Sequence, residues 1–156
     1  MAIAKRLKEL LDKERVEYEH GIHAEVYTTQ EVAAVEHERG RCVIKTVVVR
    51  ADGEFVLTGV PAALKVDEKA LAKLLGAKKV VVAEEHEFAG LFPDCEVGGM
   101  PPFGDLYDLP LWLDKRLTSC EHVVFNAGTH ADTIKMSFAD YEELAVPQIG
   151  EFAVMK

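Results

Sequence analysis

The sequence predicts an α/β protein of the α+β kind: a single-domain mixed, barrel-like β-sheet with helices packed around it, spanning residues 1–156. Three observations lead there. Strand and helix patterns alternate without the regular βαβ rhythm of a doubly wound fold. At least one strand pair is joined by a hairpin signal, Ala51-Asp52-Gly53-Glu54. No internal repeat, low-complexity tract or long linker divides the 156 residues, a length suited to one core.

The elements follow in order. Ala2 to Arg15 reads as a helix, because Ile3, Leu7, Leu10 and Leu11 share one face while Lys5, Lys8, Glu9 and Asp12 lie outside. Val16 to His20 reads as a short strand. Thr28 with Glu31 three residues later is a capping-box pattern, so a helix is expected through Val32, Ala33, Val35 and Glu36, ending near Gly40. Cys42 to Arg50 is the clearest strand. Two-residue alternation places Val43, Lys45, Val47 and Val49 on one face and Ile44, Thr46 and Val48 on the other. Both faces are mostly apolar, so the strand is expected to be covered on both sides. Lys45 then needs a pocket mouth, a partner or an anion, unless it snorkels or guards a sheet edge.

Phe55 to Val60 is the returning strand of the hairpin, broken at Pro61. Asp67 is a good N-cap for a helix from Glu68 to Leu75 that Gly76 closes. Val80 to Ala83 reads as a buried strand and Glu84 to Leu91 as a helix. Leu109 to Asp114, His122 to Asn126 and Thr133 to Met136 read as strands, with a polar connection at 115–120 and a turn at 126–130. Ser137 with Asp140 caps a last helix through Leu144, which Pro147 ends.

Between the Glu84 helix and the Leu109 strand lies Gly98-Gly99-Met100-Pro101-Pro102-Phe103-Gly104. Prolines fix φ and lack an N–H, while glycines reach φ values closed to other residues. The stretch is therefore a loop with a rigid middle and permissive ends. It is either a tight turn or a concave surface that aims the amides of Gly98, Gly99, Met100, Phe103 and Gly104 at an anion.

Composition narrows the chemistry. The formal net charge of −9 argues against broad, non-specific nucleic-acid binding, although 18 Lys and Arg leave room for a local basic pocket. DNA is not expected as a partner. No apolar run approaches a membrane span, the N-terminus lacks signal-peptide features, and Cys42, Cys95 and Cys120 are read as three reduced thiols; a cytoplasmic location is expected. There is no GxSxG elbow, P-loop or dinucleotide fingerprint. His20 and His23 form an isolated HxxH, and Cys95 is a nucleophile only if it escapes burial.

Taken together, Ile44-Lys45-Thr46 on a strand, the Gly98–Gly104 loop after Leu91-Phe92-Pro93-Asp94-Cys95-Glu96, and Phe125-Asn126-Ala127-Gly128 downstream resemble the YbaK/prolyl-tRNA-synthetase-associated domain family. The resemblance runs from the Thr28 helix to the Ser137 helix. It implies a hydrolase that removes the amino acid from mischarged tRNA without metal or other cofactor. It implies that Lys45 holds the 3′ end of the tRNA and that Gly98, Gly99 and Gly104 supply catalytic backbone. Thr28, Thr29, Ala33, Met100, Pro101 and Phe103 would border the substrate, with Asn126, Gly128 and His130 as a downstream wall. The implied partners are the aminoacyl-tRNA 3′ end and, for delivery, an aminoacyl-tRNA synthetase. The implied substrate is a small amino acid on tRNA, with tRNA-Pro among the candidates. The Pro-Pro-Phe-Gly ending departs from the cysteine-specific branch, whose specificity is not carried over. Two other readings stand beside this one: a non-catalytic module that binds a tRNA end or a synthetase, and a metal-dependent hydrolase built on His20 and His23.

Overall fold

The computed structural model describes residues 3–22 and 42–155. Within them the elements are α1 (Lys5–Glu14), β1 (Tyr18–Ile22), β2 (Val43–Ala51), β3 (Glu54–Pro61), β4 (Leu64–Val66), α2 (Glu68–Leu75), β5 (Val80–Val82), α3 (Glu85–Phe88), β6 (Leu111–Asp114), β7 (His122–Asn126), β8 (Asp132–Ser137), α4 (Phe138–Ala145), β9 (Gln148–Gly150) and β10 (Ala153–Met155). Thr28, Thr29, Ala33 and the helix expected after Thr28 lie outside the described residues.

Eight strands form one mixed sheet in the order β1-β8-β7-β2-β3-β6-β9, with β5 added to β2; β4 and β10 make a separate pair. The β2–β3 hairpin is antiparallel from Ile44↔Pro61 to Ala51↔Glu54. On its other edge β2 meets β7 in parallel at Val43 and Ile44, and β5 antiparallel from Val49 to Ala51. Among the described residues, no strand lies against that edge between Lys45 and Val48. β2 is thus central and continuous on one side and interrupted on the other.

The alternation read from the sequence appears as two covered faces. Ile44 and Val48 join a large core with Leu7, Leu11, Phe103, Phe125 and Tyr141. Val49 joins a second cluster with Val60, Leu71, Val80 and Phe152. Local signals hold the helices that matter. The Asp67 carboxylate accepts from the Lys69 and Ala70 amides at 3.1 and 3.2 Å, and Gly76 closes α2 at φ 68°. The Ser137 hydroxyl accepts from the Asp140 amide at 3.2 Å to start α4.

Three differences from the sequence reading have simple causes. β4, β9 and β10 have three residues each, too few for two-residue alternation to register. The Glu84–Leu91 helix is one α-turn, α3, continued as a 3₁₀ turn over Ala89–Leu91. The cysteines are not three thiols: Cys42 and Cys120 form a disulfide, with Cα atoms 5.8 Å apart, and Cys95 alone is free. Parallel pairing of β2 and β7 brings the residues preceding the two strands together across 78 positions of sequence, which spacing along the chain does not reveal.

Candidate active site

The interruption beside β2 opens into a cavity of about 580 Å³. It is lined by Lys45 to Val48 of β2, Lys65 and Val66 of β4, Glu68 at the start of α2, Val82 and Ala83, Glu85 and Phe88 of α3, and Gly98 and Met100 of the loop. Lys45 is half-buried, and its ammonium donates to the Leu64 carbonyl at 2.7 Å. That carbonyl belongs to β4, which pairs with β10. The start of β10 is pinned by Asp114, a fully buried carboxylate that accepts from the Phe152 and Ala153 amides at 3.0 and 2.8 Å. The chain's C-terminal strand therefore helps fix where Lys45 points. A lysine on an apolar strand face is tolerable under these conditions, because its head reaches a carbonyl at a cavity mouth rather than hydrocarbon.

The glycine-proline loop divides in two. Gly98 is exposed and adopts φ +88°, a conformation open to glycine and strained for other residues. Its amide donates to the Met100 sulfur at 3.1 Å. A thioether is a weak acceptor, so a carbonyl oxygen or oxyanion arriving there would be the stronger partner. The Met100 amide has no carbonyl partner among the described residues. The Gly99 and Phe103 amides are committed, to the Glu96 and Pro101 carbonyls, both at 2.9 Å.

The second half of the loop turns inward. Pro101 is buried, and the Pro102 carbonyl accepts from the Tyr141 hydroxyl at 2.7 Å. The Phe103 ring packs against Phe125 and Tyr141 with centroids 5.5 and 5.2 Å away. Gly104 is pressed against the Leu109 carbonyl, and its own carbonyl accepts from the Tyr107 and Leu109 amides at 3.0 Å. Pro101, Phe103 and Gly104 are not among the residues that line the cavity. The reason is hydrophobic: an aromatic ring that follows two prolines is worth more in the core than at a wet rim.

The turn between β7 and β8 braces the loop from behind. Gly128 donates to the Gly99 carbonyl at 2.7 Å and accepts from the Glu96 amide at 2.7 Å. His130 Nε2 lies 2.7 Å from the Val97 carbonyl, and its amide donates to the Glu96 carboxylate at 2.9 Å. Gly99 passes so close to Thr129 that a Cβ would sit 2.8 Å from the Thr129 carbonyl carbon. Gly128 and His130 therefore hold the wall without lining the cavity. Asn126 is half-buried at the end of β7, opposite Thr133, and does not line it either.

Two candidate groups take structural roles. His20 Nε2 lies 2.7 Å from Asp132, a buried carboxylate whose other oxygen accepts from the Thr129 hydroxyl at 2.6 Å. His23 lies outside the described residues, and no group of three or more His, Cys, Asp or Glu that could hold a metal occurs among those described. The Cys95 thiol is pushed up to about 12 by burial, so little thiolate forms near neutral pH. It lies 3.1 Å from the Tyr107 hydroxyl, which donates to Asp94 at 2.9 Å. Burial pushes the Asp94 carboxyl up, but hydrogen bonds from the Arg6 amide, Tyr107 and Cys95 outweigh it and hold the group below the usual carboxylate range.

Of the residues singled out in the sequence, Lys45, Gly98 and Met100 meet at one cavity. The sequence reading missed Lys65, Val82, Glu85 and Phe88. Lys65 lies on β4, which is too short to read from sequence; Val82, Glu85 and Phe88 lie on elements that were expected, yet nothing local ties those elements to Lys45. On the turn of α3, Glu84 and Glu87 are committed to the capping box, whereas Glu85 lines the cavity.

The fold occurs in solved structures. The chain is similar to a candidate trans-editing enzyme for prolyl tRNA synthetase, with a TM-score of 0.83 at 21% identity over 97% of this chain and 96% of that one. A hypothetical protein gives a TM-score of 0.83 at 19% identity over 96% and 100%. A candidate signal transduction protein from Marinobacter aquaeolei VT8 gives 0.72 at 16% identity, over 96% of this chain and 30% of that longer one. Among curated proteins, none matches significantly. Residues 23–144, well over half the chain, match the family described as the aminoacyl-tRNA editing domain. With that match and the shared fold, the chain belongs to the aminoacyl-tRNA editing domain family.

Proposed function

We propose that the chain is a trans-editing deacylase that hydrolyses the ester of mischarged aminoacyl-tRNA. The observation that carries this reading is the meeting of Lys45 with Gly98 and Met100 at one cavity beside the β2 edge. An aminoacyl ester is already activated, so a positioned water suffices as nucleophile. Its oxygen attacks the carbonyl carbon, and the negative charge that develops on the carbonyl oxygen is met by the Gly98 and Met100 amides. Collapse breaks the bond to the ribose oxygen, which takes up the water's proton through the neighbouring ribose hydroxyl. The products are a free amino acid and an uncharged tRNA end. One donor to such an oxyanion is typically worth about 2.7–4 kcal/mol. Lys45, with Lys65 beside it, supplies positive charge for the terminal phosphate.

The apolar lining of Val48, Phe88 and Met100 suits a small, uncharged side chain, with tRNA-Pro among the candidate carriers. A synthetase that delivers the tRNA fits a chain of net charge −9, whose own attraction for nucleic acid is weak. The test is hydrolysis across a panel of tRNAs mischarged with alanine, serine, cysteine and threonine. The expected result is rapid release of at least one small amino acid and slow release from correctly charged tRNA. No release from any member of the panel would contradict the reading and leave the non-catalytic binding module in its place.

A further inference from the structure

Among the described residues, no strand covers the edge of β2 between β7 and β5, and that edge has a defined polarity. In a strand, the N–H and C=O of one residue face the same edge, and successive residues alternate. The Val48 carbonyl accepts from the Ala83 amide at 2.9 Å, so Val48 faces the interrupted edge. The Val47 carbonyl accepts from the Thr58 hydroxyl of β3 at 2.7 Å, so Val47 faces the other. Thr46 shares the parity of Val48. Pairing with β7 ends at Ile44 and pairing with β5 begins at Val49. The Thr46 carbonyl and the Val48 amide therefore face the cavity that both residues line.

An acceptor at one residue and a donor two residues on, along one extended edge, match a base that presents a donor beside an acceptor. Adenine does so, with its N6 amino group next to N1; hypoxanthine, with O6 next to N1–H, presents the reverse. Single-stranded RNA ends are commonly read this way, by their Watson–Crick edges with apolar or aromatic surface against the ring. The cavity has such surface. Val82, on the short edge strand β5, is 48% exposed although apolar, and Phe88 lies nearby. The Val82 amide is already held by the Glu68 carboxylate at 2.8 Å, which keeps this wall in place.

We propose that the open β2 edge reads the terminal adenine of the tRNA 3′ end, with the Thr46 carbonyl accepting from N6 and the Val48 amide donating to N1, and with Val82 covering the ring. The proposal rests on the deacylase reading for its ligand, and it adds base recognition by backbone to a site otherwise defined by charge and ester chemistry.

The test needs no ester, so its outcome is separate from that of the hydrolysis panel. ¹⁵N-labelled protein is titrated with the trinucleotide CCA and with the same trinucleotide ending in inosine, and amide shifts are followed. The expected result is saturable movement of the Thr46 and Val48 amides with CCA, and affinity for the inosine form at least about ten-fold weaker. Equal affinity for the two, Thr46 and Val48 amides unmoved at saturation, or no binding of CCA would each overturn the proposal. Release of an amino acid in the panel alongside any of these would leave the deacylase reading intact.

Discussion

The two halves of the Gly98–Gly104 loop are neighbours in sequence and opposites in environment. Gly98 and Met100 line a cavity, with the Gly98 amide resting on the Met100 sulfur. Pro101 to Gly104 are buried, and the ring of Phe103 is locked between Phe125 and Tyr141. The contrast teaches how a chain can hold backbone donors still without spending side chains at the site. The prolines and the aromatic ring anchor the loop in the core, the 128–130 turn clasps it from behind, and the glycine end is positioned by what its neighbours bury.

If the division is real, the halves should fail differently. Replacing the ring in Phe103→Ala should have the largest effect on stability, a loss of about 3–5 kcal/mol as for other buried aromatic residues. Denaturant unfolding measures it. Deacylation per folded molecule should fall less than stability does, and a variant that stays as stable as wild type would break the comparison.

Gly98→Ala tests the other half. Its new Cβ would sit 2.9 Å from His130 Cε1, at a φ that alanine adopts only under strain. The expected stability loss is about 1–2 kcal/mol, whereas kcat should fall about 10²-fold because a donor is displaced from the developing charge. Comparing kcat with the unfolding midpoint separates the two contributions. A drop in stability with unchanged kcat would move the site away from Gly98.

The smallest effect concerns Asp94, which ties the chain just before the loop to the start of α1 through the Arg6 amide at 3.0 Å. Its carboxyl is held below the usual range in the folded protein, so its contribution is present above the unfolded value of about 3.9 and is lost as pH falls through the folded value. Asp94→Asn should therefore flatten the acid side of the stability profile below about pH 4 and leave neutral pH kinetics nearly unchanged. Unfolding midpoints measured from pH 2 to pH 7 check this.

What the chain discloses before folding follows from the range of each signal. Asp67, Gly76 and Ser137 act on amides within a few residues, so α2 and α4 are legible from short strings. Lys45 stands out because alternation in β2 makes one charge conspicuous among valines. The rest of the cavity depends on contacts between distant segments. Val82 and Phe88 look like ordinary core residues until β5 docks beside β2 only from Val49 onward and leaves the gap. The inward turn of Phe103 depends on Tyr141, 38 positions later, and the Cys42–Cys120 disulfide on the parallel β2–β7 pairing. Those are long-range facts with no local pattern to announce them.

The central claim is that Lys45 and the glycine end of the loop form one ester-hydrolysing site. It is tested most directly by single-turnover deacylation of the responsive mischarged tRNA with wild type and Lys45→Ala, beside thermal unfolding of both. The account predicts a rate loss of about 10²-fold or more with an unfolding midpoint close to that of wild type. An unchanged rate in a folded Lys45→Ala protein would contradict it.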